Sequence, residues 1–364
     1  MGDYRIVFNN PGLVGRELTY MADAIAQGHS AGNGTYTRRC QDFLEGKLGS
    51  SKVFLTTSCT DALELTALLL EIKPGDEVLL PSFTFVSTAN AFVLRGATPV
   101  FVDIRPDTLN LDEVLIEPAV TSRTRAIMPV HLYGQPADMD GIMGVASRHN
   151  LLVIEDCCQA HGATCNGRPI GSFGTAAAYS FYPTKNLAAL GDGGAITTAD
   201  PAIASRIRRL RNGGQTHRYQ HGEFGVNSRL DEIQAAVLRA RLRWLPKWIG
   251  ERRQLAAEYR THLAAAVVTV PPECDPGHVY HLFPILSDER DALQARLMSR
   301  GVETLIHYPI PITRQPALRS EGPADCPITD RVCGQLLSLP LHPGMALSAV
   351  EEVASALHAS AAAS

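Results

Sequence analysis

Lysine is scarce in this sequence, and long apolar runs are missing. Only five of the 33 basic residues are lysines, so chemistry that needs a lysine amine has few candidates. No apolar stretch reaches the roughly 20 residues that a membrane-spanning helix requires. The formal net charge of −4 disfavours a nucleic-acid binder that works by neutralising phosphates. Neither a membrane span nor a nucleic-acid partner is therefore expected.

The sequence also lacks the patterns of a disulfide framework or a zinc site. Its eight cysteines form no CxxC pair and are interpreted as reduced thiols. Two histidine pairs, His217/His221 and His278/His281, have helical spacing but no matching second pair of ligands, so no metal is predicted. The opening residues, MGDYRIVFNN, do not have the regions of a signal peptide, and a cytoplasmic location is expected.

What the chain does contain is an alternation of short apolar runs and helical patterns from about residue 50. Runs such as KVFLTT, PVFVDI and LLVIED are continuously apolar, as in parallel strands covered on both faces. A long helix is predicted over about 229–263, with a kink or break at Pro246. The pattern predicts an α/β fold with a mostly parallel sheet in a large domain, residues 1–245. Residues 246–364, where proline turns become frequent, are predicted to form a smaller α+β domain.

Lys185 is the lysine best placed for chemistry. It follows a predicted strand and precedes a glycine-rich turn in SFYPTKNLAALGDGG, so rigid elements hold its loop close to any ligand. A lysine in a partly desolvated pocket loses its proton readily and can act as a nucleophile. The alternative is an ordinary solvated loop lysine.

Three further features suit one ligand together with Lys185. Asp156 ends the strand LLVIED, although it could simply cap the next turn. In TTSCTDAL a strand ends where Ser58, Cys59 and Thr60 open a helix, which makes an anion site or an ordinary cap. Phe85 offers an aromatic face. An anion cradle, a carboxylate, an aromatic ring and a lysine together match pyridoxal phosphate.

Long motifs in the chain are similar to those of a known family. They are SCTDALELTALLL, PGDEVLLPSFTFVSTANAFVLRGATPVFVD, VHLYGQPADMD, IEDCCQAHGA, SFYPTKNLAALGDGGAITT, NSRLDEIQAA and HYPIPI. The chain resembles the DegT/StrS family of sugar aminotransferases over about residues 8–345. The resemblance implies the fold of the type I pyridoxal-phosphate-dependent transferases, with pyridoxal 5'-phosphate as cofactor.

The resemblance also implies roles for individual residues. Cofactor-binding roles fall on Ser58, Cys59, Thr60, Phe85, Asp156, Gln159, Ser180, Lys185 and Asn227. Lys185 matches the lysine that carries the cofactor, and Asp156 the acid on its ring nitrogen; these two are the implied catalytic residues. Asn227 matches a residue that reaches the phosphate from the partner subunit, which implies a homodimer with shared active sites. Arg229, His307 and Tyr308 match segments that line the sugar-nucleotide pocket.

The N-terminal strings FNNPGLVGRELTYMADAI and TRRCQDFLE resemble the enzymes that aminate C4 of dTDP-4-keto-6-deoxy-D-glucose, with L-glutamate as donor. HLYGQPADMD and SFYPTKNLAALGDGG also fit relatives that aminate C3, so amination of a dTDP-3-keto-6-deoxy sugar is an alternative. A regulatory protein that binds pyridoxal phosphate without turnover is a second alternative. The sequence departs from the family at Thr313, where many members have histidine, and at Cys157 and Cys158, where alanines are usual.

Overall fold

The computed structural model describes residues 4–11, 13–49, 52–263, 268–321 and 324–361. Thirteen strands lie in this part of the chain: β1 (Lys52–Thr56), β2 (Glu77–Pro81), β3 (Thr98–Val102), β4 (Thr124–Ile127), β5 (Leu152–Asp156), β6 (Thr164–Cys165), β7 (Arg168–Pro169), β8 (Ala176–Ser180), β9 (Gly194–Thr198), β10 (Gln215–His217), β11 (Gln220–His221), β12 (Phe283–Leu286) and β13 (Leu336–Leu339).

Twelve α-helices accompany the strands in the described ranges: α1 (Glu17–Ala26), α2 (Thr35–Leu48), α3 (Cys59–Leu69), α4 (Ser87–Val93), α5 (Ile116–Ala119), α6 (Met139–His149), α7 (Pro201–Leu210), α8 (Glu232–Leu242), α9 (Leu245–Leu263), α10 (Arg290–Ser299), α11 (Pro327–Gln335) and α12 (Leu347–Ala361). Short 3₁₀ turns lie at Glu113–Leu115, Leu132–Gly134, Ile312–Arg314 and Pro316–Glu321. None of the helices in the described ranges is long and apolar enough to cross a membrane.

Seven strands form one central sheet in the order β1-β9-β8-β5-β4-β2-β3. Six of them run in the same direction, and only β9 is antiparallel to its neighbours β1 and β8. The predicted mostly parallel α/β sheet is therefore confirmed. The carboxyl ends of six strands meet at one edge, and β9 begins at that same edge.

Both faces of the sheet are buried because successive residues of a strand point to opposite sides. In β5, Val153 belongs to one apolar core and Ile154 to another. The first core also receives α2, α6 and α8, and the second receives α3, α4 and α7. Two covered faces explain why the strands are apolar throughout and do not alternate with polar residues.

The predicted long helix over 229–263 is divided in two. α8 ends at Leu242 and α9 begins at Leu245, with Pro246 in the first turn of α9. Proline is tolerated there because the first N–H groups of a helix have no acceptor within it. The expected break therefore lies just before the proline.

A separate core lies in the C-terminal part of the chain. Leu255 of α9, Ile285 of β12 and Leu337 of β13 pack there with α10 and α12. Ile6 packs into the same core and forms a bridge with Val302, so the N-terminal segment associates with the C-terminal elements. The division between residues 245 and 246 stays a prediction.

A buried carboxylate joins the C-terminal elements to the central sheet. Asp103 follows β3 and is 6% exposed. It accepts hydrogen bonds from the backbone N–H groups of Ile328 (2.8 Å) and Thr329 (3.0 Å) in the first turn of α11, and from the Thr329 hydroxyl (2.8 Å). The negative charge therefore lies at the positive end of the helix dipole and satisfies free N–H groups.

We expect Asp103→Ala to lower the free energy of unfolding by about 3 kcal/mol, because it leaves buried donors without an acceptor. Asp112→Ala is the matched control. Asp112 accepts from a single backbone N–H, that of Val114, in an exposed turn, and its loss should cost at most about 1 kcal/mol. Urea unfolding of the two variants measures the difference. Equal shifts would show that Asp103 is an ordinary cap.

Candidate active site

Three of the predicted site residues lie at the edge where the parallel strands end. Asp156 is the last residue of β5, and Ser180 is the last residue of β8. Ser58 lies two residues beyond the end of β1 and directly precedes α3. Ligands of open α/β sheets bind at this edge, because the strand ends and the helix N-termini converge there.

The carboxylate of Asp156 is buried and fixed by two donors. The Thr88 hydroxyl donates to Oδ2 at 3.0 Å, and the Cys158 N–H donates to Oδ1 at 3.0 Å. Thr88 is itself held by a 2.8 Å contact with the Thr84 hydroxyl. An ionised carboxylate has about four acceptor positions, so two remain for a protonated ring nitrogen. Thr88 gave no sequence signal, because nothing in a helix sequence shows which hydroxyl faces a strand end.

The first turn of α3 provides an anion cradle. The Ser58 hydroxyl caps the helix by accepting from the Asp61 N–H at 3.0 Å, which leaves the N–H groups of Cys59 and Thr60 at the helix start. A Cβ atom at Gly194 would lie 2.5 Å from the Ser58 carbonyl and 2.6 Å from the Cys59 nitrogen. Only glycine therefore lets β9 begin so close to the cradle. The turn that Ser58 caps is therefore also the candidate anion site.

An aromatic and amide cluster covers another side of the site. The rings of Phe85 and Tyr308 are 6.0 Å apart, and Phe85 is 55% exposed. Gln159 donates from Nε2 to the Tyr308 hydroxyl at 3.2 Å, while its Oε1 accepts from the Tyr133 N–H at 2.7 Å. Burial raises the pKa of Tyr308, so this phenol is neutral at physiological pH. Tyr133, whose hydroxyl donates to the His307 carbonyl, is a neighbour that the sequence did not indicate.

Lys185 lies in the loop between β8 and β9 and is partly buried. Its backbone N–H donates to the Tyr182 carbonyl at 2.9 Å, which closes a tight turn. Its side chain lines a cavity of about 330 Å³ together with Asn186 and Trp244. Within the described part of the chain, the structure shows no carboxylate paired with its amine, so the loop does not neutralise Lys185 with an acid.

The Lys185 charge acts on two buried histidines, His281 and His307. Burial, with a further contribution from the Lys185 charge, lowers the pKa of His307 to about 4. Burial and the same charge also lower the pKa of His281 well below its ordinary value. His307 stacks on Phe8 with 5.5 Å between ring centroids. At neutral pH these rings therefore add no positive charge beside the lysine.

The remaining predicted residues have different surroundings. Ser180 is buried, and its hydroxyl accepts from the Tyr182 N–H at 3.3 Å. Asn227 is exposed and pairs through its backbone with Asn212. Arg229 donates to the Asn212 side chain. Asn227 and Arg229 therefore meet at Asn212 within this chain, while the intervening Ser228 donates to Asp61 of α3 at 3.0 Å.

These residues fit pyridoxal phosphate on the chemistry of their groups. The helix start and the Ser180 hydroxyl suit the phosphate, and the buried Asp156 suits a protonated ring nitrogen. The Gly194 approach keeps the cradle open, since any side chain there would fill it. Lys185 is the amine at this edge.

Comparison with known proteins identifies the family of the chain. The model of the DegT/DnrJ/EryC1/StrS aminotransferase family matches residues 14–358. The chain belongs to that family. The crystal structure of S. venezuelae DesV superimposes on this chain with a TM-score of 0.94. The two sequences are 41% identical, and the match covers 98% of this chain and 99% of DesV. The predicted type I pyridoxal-phosphate-dependent transferase fold is therefore confirmed.

Two named proteins are similar in sequence to this DegT/DnrJ/EryC1/StrS aminotransferase. It is 48% identical over 289 residues to the dTDP-3-amino-3,4,6-trideoxy-alpha-D-glucose transaminase of Streptomyces venezuelae, covering 78% of this chain and 76% of the relative. It is 47% identical over 305 residues to the erythromycin biosynthesis sensory transduction protein EryC1 of Saccharopolyspora erythraea, covering 83% of each chain. The expected amination at C4 is not confirmed by these relatives.

A buried histidine beneath the site makes stability depend on pH. His161 donates to the Ser180 carbonyl at 2.6 Å and stacks on Phe181 with 5.1 Å between centroids. Burial, together with the Lys185 charge, lowers its pKa to about 4, whereas an unfolded histidine has a pKa of about 6.5. Between these two values the unfolded chain binds more protons, so stability falls as the pH falls.

When the pH is lowered from 7 to 5, the free energy of unfolding should fall by about 2 kcal/mol less in His161→Gln than in the parent protein. The reason is that the variant lacks the titrating imidazole. Urea unfolding at the two pH values measures this difference. His217→Gln, which alters an exposed histidine, should behave as the parent protein does. An unchanged pH dependence in His161→Gln would contradict the assigned buried titration.

Proposed function

We propose that the enzyme transfers an amino group from L-glutamate to C3 of a dTDP-linked 3-keto-6-deoxy sugar. Sugar amination is the activity of its family. The observation that carries the C3 position is the 48% identity to a relative named as a dTDP-3-amino sugar transaminase. Amination at C4 of dTDP-4-keto-6-deoxy-D-glucose, which the N-terminal sequence suggested, is the alternative.

Pyridoxal 5'-phosphate is the cofactor, and when bound it accepts the amino group and the electrons of the bond broken at the amino acid's α-carbon. In this proposal Ser58, Cys59, Thr60 and Ser180 bind its phosphate through the helix start and hydroxyl groups. Asp156 holds a proton on the ring nitrogen, since its two free acceptor positions face no other donor among the described residues. Phe85 covers the ring, and Gln159 lies beside the ring hydroxyl.

Lys185 moves the protons in this proposal. Its amine removes a proton from the α-carbon of the amino donor in the first half-reaction and delivers one to the sugar carbon in the second. Among the described residues no carboxylate is paired with the amine, which supports this role, because no ion pair has to break before the amine reacts. The neutral imidazoles of His281 and His307 add no charge of either sign near the amine at neutral pH.

Three residues are proposed to contact the sugar nucleotide. Tyr308 contacts Phe85 and Gln159, and the His307 ring lies edge-on to the Tyr308 ring with 6.0 Å between centroids. Arg229 carries a positive charge suited to a diphosphate, although within this chain it bonds to Asn212. Thr313, at a position where many family members have histidine, lies in the 3₁₀ turn Ile312–Arg314 that follows Tyr308.

A regulatory protein without turnover is the second candidate function. The observation that favours it is the name of the EryC1 relative, a sensory transduction protein of erythromycin biosynthesis. The presence of Lys185 together with a fixed, buried Asp156 argues for turnover, since binding alone needs no proton-moving amine. Turnover with a defined sugar separates the two candidates.

Product analysis tests the position of amination. The holoenzyme is incubated with L-glutamate and either dTDP-3-keto-6-deoxyglucose or dTDP-4-keto-6-deoxy-D-glucose, and the product is identified by NMR. We expect an amine at C3 and at least about a hundredfold slower turnover of the 4-keto sugar, because a misplaced carbonyl forfeits the aligned proton transfer. Lys185→Ala is the control that should give no product.

An amine at C4 alone would overturn the C3 assignment and leave the family activity intact. No turnover of either sugar by protein that has bound its cofactor would favour the regulatory candidate. Borohydride reduction followed by peptide mapping locates the lysine that carries the cofactor. A label on Lys73 or Lys247 would contradict the role given to Lys185.

We also propose that two copies of the chain share their active sites. Asn227 is exposed, whereas the next residue, Ser228, is buried and donates to Asp61 of the same chain. The neighbouring exposed residues Tyr219 and Phe224, at 80% and 97% exposure, would also be covered by a partner. Asn227 then offers its amide to a phosphate oxygen in the site of the other copy.

Mixing two inactive variants tests this arrangement. Lys185→Ala lacks the amine, and Asn227→Asp places a negative charge where a phosphate is expected. In a mixed dimer with shared sites, one site carries both changes and the other carries neither, so up to about half of the parent activity per mixed dimer should return. No recovery despite demonstrated subunit exchange would show that Asn227 serves its own subunit.

A further inference from the structure

The thiols of Cys59 and Cys158 are in contact at the cofactor site. The Sγ atoms of Cys59 and Cys158 are 2.8 Å apart, although the residues are separated by 99 positions in the chain. Among the residues that the structure describes, this is the one contact between two cysteine sulfurs that it shows. Cys59 is 8% exposed, and Cys158 is partly buried. The pair is free of any disulfide.

Each cysteine belongs to a different part of the cofactor site. Cys59 is the first residue of α3, and its N–H is part of the anion cradle. Cys158 lies two residues beyond Asp156 and donates its N–H to the Asp156 carboxylate at 3.0 Å. A bond between the two sulfurs would therefore connect the phosphate cradle directly to the acid that faces the ring nitrogen.

We propose that Cys59 and Cys158 form an oxidation site, converted by a small disulfide such as glutathione disulfide into an intramolecular disulfide whose formation bound pyridoxal phosphate opposes. The proposal rests on the cofactor site and not on the identity of the sugar.

The chemistry balances without a metal or an added electron carrier. One thiolate attacks glutathione disulfide, breaks its sulfur–sulfur bond and releases one glutathione. The second cysteine then displaces the other glutathione and completes the bond between Cys59 and Cys158. The two cysteines are oxidised, glutathione disulfide is reduced to two glutathione molecules, and the two thiol protons pass to them.

The geometry favours this step and also explains why it couples to the cofactor. A disulfide bond is about 2.05 Å long, so the two sulfurs must approach further from their present 2.8 Å. The bond would link the start of α3 covalently to the segment after β5. Both carry groups that the cofactor needs in their present positions, so oxidation and cofactor binding compete.

The surroundings of Cys158 make its thiol slow to react. The hydrogen bond with Cys59, burial and the negative charge of Asp156 all raise the pKa of Cys158 well above its ordinary value, while Lys185 acts in the opposite direction. The thiolate, which is the reactive form, is therefore scarce at neutral pH. The neighbouring Cys157 is fully buried and packs into the first core of the sheet, so it is a poor competitor.

Redox titration of the cofactor-free and cofactor-loaded protein tests the proposal. Both forms are equilibrated in glutathione buffers of defined ratio, free thiols are alkylated, and the disulfide is quantified by intact mass and located by peptide mapping. We expect a peptide linked through Cys59 and Cys158. We also expect cofactor loading to disfavour that disulfide at least about tenfold, which corresponds to a shift of about 30 mV.

A second readout needs no activity measurement. Because coupling between two equilibria is reciprocal, the oxidised protein should bind pyridoxal phosphate more weakly by the same factor. Absorbance titration of reduced and oxidised protein measures this affinity. Equal affinities, or equal midpoint potentials with and without the cofactor, would overturn the coupling.

Matched cysteine variants locate the effect. Cys158→Ala should abolish the linked peptide and the oxidant-dependent loss of cofactor affinity, and Cys158→Ser repeats the test if the alanine variant folds poorly. Cys157→Ala removes the adjacent thiol and should leave both effects unchanged. Absence of a linked Cys59–Cys158 peptide from the oxidised cofactor-free parent would refute the site, whereas normal cofactor binding by the reduced protein would leave the proposed transamination standing.

Discussion

A negative charge buried at the end of β5 constrains the surrounding structure. An isolated carboxylate costs several kcal/mol to bury, so it persists only where donors surround it. Thr88 of α4 and the Cys158 N–H supply those donors, and the Asp156 backbone pairs with Pro129 and His131 beyond β4. The position of α4 and the path after β5 are therefore fixed together with the acid. A shift of either segment would remove a hydrogen-bond donor from the buried Asp156 carboxylate.

The same physical rule recurs where loops and helices join the sheet. Glu155 accepts the N–H groups of Gly171 (2.6 Å), Phe173 (2.8 Å) and Gly174 (2.7 Å), so one buried carboxylate holds the turn before β8. Glu232 of α8 accepts the N–H groups of Tyr36 (2.7 Å) and Thr37 (2.9 Å) and thus caps α2. Neither carboxylate is paired with a lysine in the described ranges of the chain. They satisfy backbone donors that the tightly packed helix starts and turns leave free.

The site combines a buried, hydrogen-bonded acid with an amine that is paired with no carboxylate of the described residues. Asp156 is fixed from several sides, whereas Lys185 stands on a loop between β8 and β9 next to a cavity. Proton transfer at two different carbons asks for an amine able to change its charge, while holding a ring proton asks for an acid that does not move. Cys59 of the cradle contacts Cys158, whose N–H donates to Asp156. The proposed disulfide would therefore act on cofactor binding and not on the sugar pocket.

Local signals in the sequence were sufficient to predict the mostly parallel sheet and pyridoxal phosphate as the cofactor. Continuous apolar runs indicate strands covered on both faces, and a lysine, an acid and a helix start at strand ends indicate a cofactor, because these signals are local in the chain. Family motifs added the fold type, but the strings that suggested C4 amination did not separate C3 from C4, since a one-carbon shift depends on pocket shape. Tertiary structure alone brought Thr88 to Asp156, Gly194 to the cradle and Cys59 to Cys158. Those contacts join residues far apart in sequence, and only the packing of α3, α4 and β9 around the ends of the parallel strands decides which of them meet.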